Sequence, residues 1–212
     1  MLNPKILLKH FGIFWAIFIA LQLLFSTAGV KGGLARINAA MLSNVMQRFL
    51  PEINLKAQAQ QEDGQILFQF YNQEQADQLV KKVKKTGKAG KISVQNYDYL
   101  VDPSNHINMA LAFLIAVFLA TPLAWKKRFI LAGTGIFLFY IYSFFRMTFR
   151  LKYEVSQLNI GLYESDPNSF LSLHKINNFL GSLGLIFMVI ILIWALLVFS
   201  KKNMAQMKLK LS

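Results

Sequence analysis

Arg146 and Arg150 are the residues of this chain whose type and spacing come nearest to a binding device. Four positions apart on a continued helix, they lie one turn apart on one face. Two guanidinium forks held that way could take a carboxylate or a phosphate through paired N–H donors. They directly follow one apolar block, and His106 and His174 border two others, so all four would stand at one boundary. The competing reading, basic side chains snorkelling at a membrane interface, is preferred, because proximity across helices is assumed. A second group is Lys81, Lys82, Lys84, Lys85, Lys88 and Lys91. That face would suit lipid headgroups, acidic polysaccharide or an acidic protein segment. It equally fits the solvated side of an amphipathic helix opposite Leu79 and Val83, which is the preferred reading.

Other chemistry is thinly represented. The absence of cysteine removes disulfides, thiolate nucleophiles, zinc–thiolate sites and iron–sulfur ligation. The three histidines, His10, His106 and His174, are too scattered for an HExxH-type metal helix. There is no GxSxG elbow and no phosphate-binding glycine loop. The expectation is therefore no catalytic residue, no metal and no cofactor. A site recognisable only by its geometry stays open as a minor alternative.

The elements that would position these residues are mainly membrane helices. The 212 residues are 55% hydrophobic, with mean hydropathy +0.40, and the apolar residues gather in four blocks. These are Phe11 to Phe25, Ile107 to Trp125, Phe129 to Phe145 and Ile176 to Phe199, only the second and third being closely adjacent. About 20 helical residues cross a hydrocarbon core of about 30 Å, so four spans are expected, the third a short one. With the N-terminus cytoplasmic, the inside segments 1–10, 125–128 and 200–212 hold nine of the 23 basic residues and none of the 10 acidic ones. That asymmetry obeys the positive-inside rule and predicts both termini inside. The net charge of +13 is thereby explained by the membrane rather than by nucleic acid, for which no motif is present. Residues 1–28 read as an uncleaved anchor. Lys5, Lys9 and the small residues Ser26, Thr27 and Ala28 leave a signal peptide as the alternative.

Between the first two blocks, residues 29–105 read as a small α/β domain outside the cytoplasm. Leu34, Ile37, Met41, Leu42, Val45, Met46 and Phe49 give an amphipathic helix ended by Pro51. Ile53 to Gln60 alternates as a strand, Asp63-Gly64 is a hairpin signal, and Ile66 to Tyr71 is the return. Residues 73–85 return to helical spacing, and Lys91 to Tyr97 reads as a third strand. So small a core must lean on the 34–50 helix, the membrane or a partner. Residues 106–200 form a three-helix membrane domain with an outer loop at 146–175, and 201–212 a basic cytoplasmic tail. Gly133, Gly135, Gly181 and Gly184 offer close helix packing.

Asn105-His106-Ile107-Asn108 leads into a block closing with Leu119-Ala120-Thr121-Pro122, then the basic turn Trp125-Lys126-Lys127-Arg128 and a span bearing Gly133 and Gly135. With one preceding span and a small outer α/β segment, this layout resembles the small membrane proteins associated with exosortases, notably the exosortase-H-associated type. The resemblance covers much of the chain in layout and about 30 residues in motif. It implies an accessory, non-catalytic protein of a bacterial envelope protein-sorting system in the cell inner membrane. Its partners would be membrane lipids and a polytopic enzyme such as an exosortase. The chain does not resemble the exosortase itself, whose nucleophile is a cysteine. The alternatives are a transporter or lipid- and anion-handling subunit using Arg146 and Arg150, and a scaffold of an envelope secretion or polysaccharide export complex.

Overall fold

The computed structural model describes residues 4–60, 64–86, 95–103, 107–158, 167–199 and 203. In chain order the elements are α1 (Pro4–Ser26), α2 (Ala28–Phe49), β1 (Ile53–Ala59), β2 (Ile66–Asn72), α3 (Gln73–Thr86), β3 (Tyr97–Val101), α4 (Met109–Ala120), α5 (Trp125–Gln157), α6 (Pro167–Gly181) and α7 (Leu183–Val198). They divide into two compact units. One comprises Met1–Val30, Ser104–Ser143 and Phe179–Ser212; the other comprises Lys31–Pro103 and Phe144–Asn178.

The first unit is helical and apolar. α1 and α5 are each long and apolar enough to cross a membrane. On α1, Phe11, Trp15, Ile19 and Leu23 recur along one face and stay exposed, an arrangement that suits lipid and not water. Leu114, Phe118, Phe139, Ile186 and Ile190 build the core of this unit from α4, α5 and α7. Phe113 is its hub: its ring meets Phe14 at 5.3 Å and Phe187 at 4.9 Å, both edge-on. Gly135 explains how α5 comes so near α4. A Cβ there would stand 2.5 Å from Cε2 of the fully buried Phe118 ring.

Four continuous spans were expected, and the helices depart from that at two places. α4 has 12 residues, about 18 Å of helix, short of the hydrocarbon core. It stops because Pro122 follows: Thr121, the residue before it, is extended at ψ 135°. The fourth block is divided at Ser182, where α6 and α7 meet at a 58° bend, and makes a span only if the two are taken together. Ser182 Oγ accepts from Leu185 N at 3.3 Å as the cap of α7. Tyr142 Oη donates to Leu180 O at 2.9 Å, satisfying a carbonyl at the end of α6 that the break would orphan.

The second unit is a three-stranded antiparallel sheet in the order β1-β2-β3, covered on one face by helices. Ile53 pairs with Asn72 and Ala59 with Ile66 across the first hairpin. Gly64 occupies the left-handed region at φ 62°, the conformation this tight return needs and glycine supplies most readily. Ile53, Leu55, Ile66, Phe68 and Phe70 point to the covered face. Ala39, Leu42 and Met46 of α2 and Met147, Leu151 and Val155 of α5 share that core. The third strand is Tyr97–Val101; residues 91–94 of the expected strand Lys91 to Tyr97 lie outside the described residues. Odd-numbered Tyr97, Tyr99 and Val101 pair with Phe70, Phe68 and Ile66, so the aromatic run sets the register.

Two helices behave differently from expectation here. α5 continues through Gln157, taking in residues expected to be loop, and its last turns supply the core that the small sheet lacked. On α2 the predicted single stripe is divided. Asn38, Leu42 and Met46 face inward, while Ile37, Met41 and Val45, each one position earlier and 100° around the helix, are exposed.

Candidate functional site

The polar side chains that α5 carries beyond its apolar segment are the best candidates for a site, and all lie in the sheet-containing unit. Arg146 is buried at 6% exposure, one turn before Arg150. Arg150 stands half-exposed and donates from Nε to Tyr99 Oη on β3. Its guanidinium carbon is 5.8 Å from the Tyr99 ring centroid. Glu154, one turn further, approaches Arg150 Nε at 3.8 Å. Burial pushes the Tyr99 phenol above its ordinary range; the hydrogen bond and charge of Arg150 pull it down, and Glu154 adds a rise. The phenol is therefore neutral at physiological pH and acts as an acceptor for the guanidinium.

A second polar group joins α5 to α6. His174 Nδ1 is 2.8 Å from Tyr153 Oη, and the rings lie 5.2 Å apart. Asn178 Nδ2 is 3.0 Å from His174 Nε2. An amide nitrogen can only donate, so Nε2 accepts and Nδ1 carries the ring proton, donating to Tyr153.

Of the residues singled out in the sequence, Arg146, Arg150 and His174 thus lie within one unit on or beside α5. Arg150 is already engaged by a phenol and a carboxylate, so an anion seated there would compete with Glu154. Lys81, Lys82, Lys84 and Lys85 are exposed on α3, whose first turn carries Glu74, so the charges follow the helix dipole. His106, Lys88 and Lys91 lie outside the described residues. Among the described residues no group of three or more His, Cys, Asp or Glu is arranged to hold a metal ion.

Comparison with family models, with curated proteins and with solved structures finds no match. The site must therefore be judged on its own geometry. Glu154 was open to prediction from its i,i+4 spacing to Arg150, once the helix is known to continue. Tyr99 gave no local signal, since it meets Arg150 across 51 positions. Tyr153 and Asn178 were equally silent until α6 was placed.

Proposed function

We propose that this chain is a non-catalytic accessory subunit of an exosortase-type protein-sorting system in a bacterial inner membrane. Both termini face the cytoplasm, and segments 29–105 and 146–175 lie outside it. The blocks at 107–125 and 176–199 complete a four-pass arrangement with α1 and α5. The charge asymmetry of the connecting segments supports this orientation. The layout resemblance given above supports the system.

The observation that carries the accessory role is the second apolar stripe of α2. Ile37, Met41 and Val45 are 54%, 44% and 40% exposed, although the adjacent face of the same helix is already in the core. Among the described residues the core of the unit includes none of these three, so they suit an interaction surface. The spans would dock laterally on a polytopic enzyme while this stripe meets enzyme or substrate.

Co-purification in mild detergent tests the proposal. Met41→Asp with Val45→Asp should release a sorting-enzyme partner and leave the thermal unfolding midpoint unchanged, whereas Leu42→Ala should lower the midpoint. Wild-type chain that never retains such a partner, even after cross-linking in intact cells, overturns the reading.

A further inference from the structure

The helical unit holds a groove of about 490 Å³ between α1, α4 and α7, within the range of ligand sites. Phe14, Phe113 and Val117 line its apolar length. At its other end the polar lining side chains are hydrogen-bonded within the protein. There His10 Nδ1 donates to Ala120 O at 2.8 Å, and Trp194 Nε1 donates to Thr121 Oγ1 at 2.9 Å. The C-terminal turn of α4, where Ala120 and Thr121 lie, also receives a fixed cation. Arg128 donates from Nη1 to Leu119 O at 2.6 Å and from Nε to Leu123 O at 2.9 Å. A guanidinium has five N–H donors, so these bonds leave donors for a further acceptor. Lys9, beside His10, and Lys126, in the first turn of α5, are exposed. The segments that hold these residues carry no acidic residue.

An apolar slot with a guanidinium held beside one end, and with exposed lysines on the neighbouring parts of α1 and α5, suits one class of molecule in charge and shape. We infer that the groove holds an acyl chain of an anionic phospholipid, with the phosphate met by Arg128, Lys9 and Lys126. The chain excludes water from the Phe14–Phe113–Val117 surface, which supplies affinity without headgroup preference. The cations supply the preference for negative charge. The site lies at the end of the unit that carries His10 and Arg128, and none of its residues belongs to the Arg150 cluster. It stands whether or not the chain has a sorting-enzyme partner.

Trp194 reports directly on the groove. In full-length protein carrying Trp15→Phe and Trp125→Phe, it is the sole tryptophan, and brominated phospholipids quench it on contact. The protein is reconstituted in mixtures of phosphatidylcholine with brominated phosphatidylglycerol or brominated phosphatidylcholine. The quenching profiles should show phosphatidylglycerol binding about fivefold tighter per engaged cation. Lys9→Gln and Lys126→Gln, both at exposed positions, should each weaken phosphatidylglycerol more than phosphatidylcholine and so narrow the difference between the two lipids. Val117→Trp, made with Trp194→Phe as reference, should cut the phospholipid retained through detergent exchange, as read by native mass spectrometry. Equal quenching by the two lipids overturns the proposal. So does unchanged phospholipid retention in Val117→Trp, or a photocross-linker at position 117 that captures a polypeptide instead of lipid.

Discussion

Arg150 Nε donates to Tyr99 Oη at 2.5 Å, joining the far end of the longest helix to the last strand of the sheet. β3 has only five residues and one neighbouring strand, so this bond and the core beneath it hold its outer edge. Tyr99→Phe should destabilise the protein by about 1–2 kcal/mol, the range for a hydrogen bond to a charged group reduced by partial solvent exposure. Glu154→Gln should cost no more than about 0.5 kcal/mol, because its approach to Arg150 is long and partly exposed. Denaturant titration of the two single variants and the double variant Tyr99→Phe/Glu154→Gln checks the ranking. A Glu154→Gln loss exceeding that of Tyr99→Phe contradicts it.

The same tyrosine predicts an alkaline limb of stability. Its phenol in the folded protein ionises above the ordinary value of 10.0, burial being the largest cause. Above pH 10 the unfolded chain loses this proton first, so unfolding is favoured progressively as pH rises toward the folded value. Below pH 10 the contribution is constant. Unfolding followed from pH 8 upward should show a decline that is shallower in Tyr99→Phe than in wild type.

Gln47 acts on the opposite edge of the sheet. Its Nε2 donates to Ile53 O at 2.8 Å and its Oε1 accepts from Leu55 N at 2.7 Å, so a helix side chain takes the place of a fourth strand beside β1. Gln47→Ala should cost about 1–3 kcal/mol, because Leu55 N–H loses its partner inside the packing. Amide exchange at Leu55 should accelerate more than at Phe68, in the middle of the central strand.

In the helical unit, two glycines two positions apart should answer alanine oppositely. Gly135→Ala drives a methyl group into the Phe118 ring and should cost about 1–3 kcal/mol of packing strain, more than the helix propensity gained. Gly133 has nothing within 4 Å of its would-be Cβ, so Gly133→Ala should be neutral or slightly stabilising. Thermal unfolding in detergent separates the two. Equal responses would contradict the close approach of α5 to α4.

What the sequence determined by itself was local. The apolarity of α1 and α5, the hairpin at Gly64, both strands of that hairpin and the helix over 73–85 all follow from periodicity and turn chemistry, which short windows contain. What needed tertiary structure were the choices between equivalent local patterns. The apolar positions of α2 satisfy one wide stripe, yet only contact with Phe68 and Leu151 selects Leu42 and Met46 for the core and leaves Ile37 and Met41 outside. A serine in an apolar run is compatible with a straight helix, and the break at Ser182 is stabilised by Tyr142 from α5. Arg150 reads as an interfacial cation until β3 brings Tyr99 to it. Helical and strand periods are written into neighbouring residues, whereas the partner of a side chain is decided by which distant surface the fold presents to it.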